Sequence, residues 1–192
     1  KNRQQHGSFL AEYPDDDDAR RRVLAWFLSL PLALDLAYFR IVHACWSARA
    51  LSVIAARRPS LTLTEADLQE VALEETDFAG AVATTVKGPE IDLPSGIGFR
   101  DFHGMRRGQM RLSWWQSGGP QTYRSAALSV PDPMELPDTP IPASDRVEFY
   151  PDAAAPVFFG HYKLQGEPGA VLSRPGNAVC LDWPDYAVSW RL

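Results

Sequence analysis

Two histidines stand in the same local context. Phe39-Arg40-Ile41-Val42-His43 and Val157-Phe158-Phe159-Gly160-His161 each run a short apolar stretch straight into an imidazole. A strand fixes a side chain and the loop after it exposes that side chain, so strand ends are where sheets place their sites. One such histidine is usually structural. Two in matching contexts are candidate ligands for a divalent transition metal, which neutral imidazole binds well.

A second concentration of chemistry lies between Gly98 and Arg124. Five arginines (Arg100, Arg106, Arg107, Arg111 and Arg124) face one acid, Asp101, in a chain whose net charge is -5. Guanidinium grips phosphate in bidentate fashion, and Trp114, Trp115 and Tyr123 are available to stack on a base or pack beside a peptide. Arg124, Arg107 and Arg111 are therefore candidate substrate contacts, with Lys87 beside the Gly88-Pro89 turn as a fourth. Asp182, just past Val179-Cys180-Leu181, is a candidate for orienting a ligand histidine from behind. Cys45 follows His43 by two positions, a spacing that aims the pair poorly for nucleophilic work, and reads as a packed thiol. His103 belongs to a Gly-containing turn, and His6 is uninformative. No Gly-rich phosphate loop, G-x-S-x-G elbow or H-E-x-x-H helix occurs.

The elements that must position these residues are partly readable. The acidic run Asp15 to Asp18 suits a helix start, where carboxylates oppose the positive end of the dipole, and the following apolar positions recur at helical spacing, which predicts a helix over 17–29 stopped by Pro31. Four consecutive carboxylates cannot converge on one ion from a helix start, so the run is a cap. Strands are expected at 34–36 and 39–42, joined by a tight turn, with His43 at the end of the second. Ser47 should cap a helix to about Ala56, Thr64 to Asp67 should open another, and a third should cover 77–86. From Lys87 to about Ala154, Gly and Pro interrupt every pattern; a strand pair at 98–102 and 109–115 is expected, with His103-Gly104 in its turn. Pro156 to Phe159 is a buried-type strand, and 178–181 and 186–190 read as closing strands that pair antiparallel.

Composition bounds the rest. With 192 residues, 45% hydrophobic and 22% charged, the chain can bury a core of ordinary size. Sixteen Pro and 13 Gly make it loop-rich. The negative charge argues against binding a nucleic acid polymer or an anionic membrane. The longest apolar stretch, Val23 to Leu34, is too short and too broken to span a bilayer. Two cysteines give no disulfide framework, so a cytoplasmic location is expected. Arg outnumbers Lys 16 to 3, which fits a GC-rich bacterial source. The chain begins at Lys1 without Met and reads as a piece of something longer.

Phe39-Arg40-Ile41-Val42-His43-Ala44-Cys45-Trp46 and Phe158-Phe159-Gly160-His161-Tyr162 resemble the last two histidine motifs of the calcineurin-like metallophosphoesterases. The nearest branch is the bacterial one containing serine/threonine protein phosphatases and diadenosine tetraphosphatases. Leu30-Pro31-Leu32, Lys87-Gly88-Pro89-Glu90, Trp114-Trp115 and Thr122-Tyr123-Arg124 add to the likeness, which extends over nearly the whole chain.

The resemblance implies an α/β fold, a layered α-β-β-α sandwich with two mixed sheets between helices. It implies that His43 and His161 are metal ligands and that Gly160 lets the backbone approach the metal. Two divalent ions (Mn, Fe or Zn) sharing a bridging carboxylate and a bridging water would hydrolyse a phosphate ester or anhydride. The substrate would be a phosphorylated small molecule, a nucleotide or a phosphoprotein. The family's D-x-H, G-D-x-x-D-R-G and G-N-H-E motifs, which supply the remaining ligands and the acid-base histidine, do not occur in this sequence; in the family they lie N-terminal to this region. Residues 1–192 are thus expected to be the C-terminal part of one metallophosphoesterase domain, with a helical and loop-rich insert at about 47–154, inactive on its own. The alternative is a degenerate, non-catalytic homologue that uses the scaffold as a binding module. A structural zinc site built from the four histidines does not suit their spacing.

Overall fold

In the computed structural model, residues 6–15, 17–73, 75–116, 120–143, 148–166 and 176–187 are described. The expected cap is present. Asp17 accepts from the Ala19 backbone N–H at 2.8 Å, and a helix runs over Asp18–Ser29 (α2). Asp15 pairs with Arg20 and Asp18 with Arg21. A short helix not expected from the sequence, Gly7–Glu12 (α1), precedes it and packs Phe9 near Phe27. Neither helix holds a buried residue.

The next elements follow the sequence pattern. Ala33–Asp35 (β1) and Arg40–Val42 (β2) pair antiparallel, closed by a Leu36 N–H to Phe39 carbonyl bond. Ser47 caps Ala48–Arg57 (α3) by accepting from the Ala50 N–H, and Glu148 in turn accepts from the Ser47 hydroxyl. Thr64 and Asp67 cap each other's backbone N–H at the start of Glu65–Leu73 (α4). The Asp67 carboxylate, fully shielded from solvent, also receives Arg57 and Arg58. Thr76 caps Asp77–Lys87 (α5), and Gly88 ends it at φ 88°. The three helices bury Ala50, Ile54, Phe78, Ala81 and Val82 against one another.

The sheets are where local pattern and structure part. Glu90–Asp92 (β3) pairs antiparallel with Gln109–Leu112 (β6), and Ala127–Leu128 (β7) lies on the other side of β6. The sequence expectation had paired 98–102 with 109–115. Phe99–Arg100 (β4) instead pairs with Arg106–Arg107 (β5), with His103-Gly104 in the turn as expected. The Leu93 N–H bonds the Gly108 carbonyl, so the β3–β6 pair leads into the β4–β5 pair as an interrupted ribbon, continuous through Gly108 on one side and broken by the turn at 95–96 on the other. Its root is packed on Ile91, Leu93, Phe99, Met110, Leu112, Tyr123 and Leu136.

Val157–Phe159 (β8) runs parallel to β2, and Ala178–Cys180 (β9) runs parallel to β8, giving the sheet order β1-β2-β8-β9. The antiparallel closing pair expected at 178–181 and 186–190 is corrected here: β9 finds its partner in β8. Of the second segment, Tyr186 and Ala187 are not in a strand, and 188–190 lie outside the described residues. One face of this sheet, with Ala33, Val42, Val157, Phe159 and Cys180, packs on Trp46, Leu51, Trp114, Tyr150 and Tyr162. The class is mixed α/β. No described helix is long and apolar enough to cross a membrane.

Candidate metal and phosphate site

Two adjacent parallel strands end side by side, and each ends in one of the two histidines. Arg40 lies beside Val157 and Ile41 beside Phe158, so the chain after β2 meets the chain after β8. The Gly160 N–H donates to the His43 carbonyl at 3.0 Å, and the two imidazole centroids stand 5.2 Å apart at 63°. His161 adopts φ 76°, a left-handed conformation uncommon for a residue with a side chain. Such strain, of about 1 to 3 kcal/mol, persists only where the surroundings over-determine it, and it clusters at functional sites. A Cβ at Gly160 would stand 3.4 Å from the Asp182 Cβ and 4.0 Å from the His43 carbonyl, ordinary contacts both. Neither backbone nor protein packing therefore demands glycine at 160.

The surroundings that fix His161 come from the end of α5. The Ala44 and Cys45 N–H groups both donate to the Thr85 carbonyl, at 3.1 and 3.2 Å. The Lys87 backbone hydrogen-bonds His161. Tyr162 lays its ring over Gly88 so closely that a Cβ there would fall 2.2 Å from the phenolic oxygen. Trp114, wholly buried, donates its indole N–H to both the Ala44 carbonyl (3.0 Å) and the Tyr162 hydroxyl (3.1 Å). Trp114, from the start of the loop after β6, thereby ties segments 43–45 and 160–162 together, and the Thr85 carbonyl and the Gly88–Tyr162 contact add segment 85–89.

Charge converges on the same place. Arg111 on β6 bonds Glu90 at 3.2 Å, and its Nε is buried with no hydrogen-bond partner. Burial holds the His161 imidazole below its ordinary pKa, and His43 and Arg111 push in the same direction; Asp182 and the bond to the Lys87 backbone oppose them. The result favours the neutral imidazole, the form with a lone pair to give. Burial likewise pushes the Tyr162 phenol far up. It does the same to the Cys45 thiol, which makes that thiol a packed, unreactive group.

Of the residues singled out in the sequence, the fold brings His43, His161, Lys87, Arg111 and Asp182 to this one place. Arg107 sits out on the ribbon and pairs with Asp101. Arg124 spends its guanidinium on the Leu136 carbonyl (2.9 and 3.1 Å) and on Asp138, where it pins the segment that follows the turn at Pro133–Glu135. His103 is exposed. Residues that pattern reading passed over are Thr85, which offers only a carbonyl, and Glu90, the partner of Arg111. The Tyr162 link to Trp114 had a signal, since both belong to the quoted motifs.

In kind, the donors suit a transition metal: two imidazoles, one of them held neutral. In number they fall short, for among the described residues no group of three His, Cys, Asp or Glu is placed to hold an ion. Comparison with protein-family models, curated proteins and solved structures finds no match.

Proposed function

We propose that this chain contributes the two-histidine side of a metal-dependent phosphoesterase site, with His43 and His161 as ligands. The observation that carries this reading is the convergence of both imidazoles, 5.2 Å apart, on the ends of adjacent parallel strands. A divalent metal bound there would polarise a phosphoryl oxygen and supply a nucleophile at neutral pH. The chain's own groups have separate tasks. His43 and His161 donate nitrogen lone pairs. Arg111, close to His161, is the guanidinium suited to donate to a phosphoryl oxygen, and Lys87 adds positive charge at the end of α5. Tyr162, Trp114 and Trp115 close the apolar wall behind His161, their rings in successive contact.

The layered α-β-β-α sandwich belongs to the same proposal. Leu34, Ile41, Phe158 and Val179 are direct neighbours across the four-stranded sheet, on the face opposite the core. Leu34 and Ile41 are exposed. An apolar row of this kind suits a second sheet packed against it, and further ligands would enter from that layer.

The absence of a third ligand among the described residues favours the second reading, a binding module on the same scaffold. Calorimetric titration of the 192-residue chain with Zn²⁺ or Mn²⁺ separates the two. Saturable binding that is lost in both His43→Ala and His161→Ala supports the phosphoesterase reading. Binding unchanged by either substitution, or none at all, refutes it.

A further inference from the structure

The β3–β6 ribbon ends in side chains with no packing task. Phe102 is 74% exposed and Met105 61%, and Ile97 on the opposing strand side is 39% exposed. Large apolar groups held this far into water, clustered on one element, mark a contact surface. The tip is also preorganised: the Asp101 carboxylate accepts from the His103 and Met105 N–H groups, each at 2.9 Å, and from Arg107 at 2.8 Å. Gly104 adopts φ 75° in the turn. A surface already fixed loses little freedom on binding.

Charge says what the tip would meet. Asp101 neutralises Arg107, and Glu135 accepts from the Arg100 backbone N–H, with no ion pair to Arg100 among the described residues. Arg100 and Arg106 bond the Gly104 and Gly96 carbonyls, and among the described residues neither forms an ion pair with a side chain. An apolar tip flanked by two such guanidiniums suits an acidic partner, although the chain as a whole is negative. Two arginines with no carboxylate partner among the described residues, on a net-acidic body, fall short of the basic cluster that anionic membranes need.

Geometry links this tip to the histidine site. The same ribbon carries Arg111 at its root, and six residues separate Arg111 from Met105. At about 3.3 Å per residue the tip reaches roughly 20 Å from Arg111. A phosphorylated metabolite held at Arg111 cannot touch the tip, whereas an extended peptide spans that distance in about six residues. Resting on the phosphoesterase reading above, we infer that the ribbon tip docks a phosphoprotein substrate. An apolar pair on the substrate, set in acidic sequence about six residues from the phosphorylated side chain, meets Phe102 and Met105.

The test is fluorescence anisotropy on the 192-residue chain. The probe is a labelled peptide with phosphoserine, a run of five Glu and Ser, and then Leu-Phe. Phe102→Ser and Met105→Ser should each weaken binding by about tenfold, leave free phosphoserine binding unchanged, and leave the urea midpoint unchanged because both side chains are exposed. Equal affinity of wild type and both variants overturns the inference, as does a wild type that does not bind the peptide. Loss of binding to phosphatidylserine vesicles in these variants, with peptide binding intact, would assign the tip to lipid and overturn it too. The two readings fail separately. Phosphate-dependent binding indifferent to Phe102 and Met105 removes the docking tip alone. Binding that needs Phe102 but ignores phosphate removes the phosphoesterase reading and keeps the docking surface.

Discussion

Gly88→Ala should be among the most damaging single-methyl changes in this protein. Gly88 sits at φ 88° and ψ 164°, a region only glycine occupies without strain, and there an alanine costs about 1 to 3 kcal/mol. Its Cβ would also lie 2.2 Å from the Tyr162 hydroxyl oxygen and 3.0 Å from Cζ. Tyr162 must then move, at an overpacking cost of about 1 to 3 kcal/mol. Breaking its bond with the Trp114 indole adds about 1 kcal/mol, because the Ala44 carbonyl still satisfies that indole. The sum is about 3 to 7 kcal/mol, which lowers a urea midpoint by roughly 1 to 2.5 M. Repeating the substitution in a Tyr162→Phe background removes the closest atom. The cost of Gly88→Ala should then fall by at least about 1 kcal/mol, a coupling a double-mutant cycle resolves. A Gly88→Ala midpoint within experimental error of wild type, or an identical cost in both backgrounds, refutes the reasoning.

Asp67→Asn should destabilise the helical part by about 2 to 3 kcal/mol in urea titrations, less than a wholly buried pair would lose because Arg57 and Arg58 reach solvent. Hydrogen bonds from Arg58 hold the Asp67 carboxyl well below the usual carboxylate range, so its stabilisation is complete above about pH 4 and is lost as pH falls further. The Asn variant should show a shallower loss of stability between pH 5 and pH 2, about the range in which an unfolded Asp takes up its proton; an identical slope counts against the assignment. Trp114→Phe leaves the Ala44 carbonyl and Tyr162 hydroxyl without their donor and should cost about 1 to 3 kcal/mol beyond the lost area, read as a lower melting temperature. The 192-residue chain alone should not hydrolyse p-nitrophenyl phosphate with Mn²⁺ present, since two histidines supply only part of the ligand set that a dinuclear hydrolytic centre needs; measurable Mn²⁺-dependent turnover contradicts this.

The parts legible in the sequence were those encoded by neighbours in the chain. Asp17 and Ser47 announce helix starts because a cap and the N–H it receives lie two or three residues apart. The runs into His43 and His161 announce strands because apolar, β-branched residues suit a pleated surface. Which strand pairs with which is a different matter. β6 joins β3 rather than β4, and β9 lies parallel to β8, pairings between distant residues that no short pattern records. The arginines show the same divide. Arg107, Arg111 and Arg124 are alike as letters, yet strand register sets Arg111 against Glu90, close enough to His161 to act on its charge, while a loop carbonyl takes up Arg124. Family likeness pointed at Arg124, and the side chain electrostatically coupled to His161 is Arg111.

The parallel pairing of β2 with β8 has a consequence for synthesis. Arg40 and its partner Tyr150 are separated by 110 residues, and His43 meets Gly160 across a similar gap. On a ribosome, His43 emerges early and waits exposed while the helices and ribbon fold, and it gains its neighbour only after β8 has cleared the exit tunnel. Closing so long a loop is slow, and the bulk of the chain has to be ordered first. The two imidazoles are brought together late, so an ion that needs both finds no chelating pair on the nascent chain.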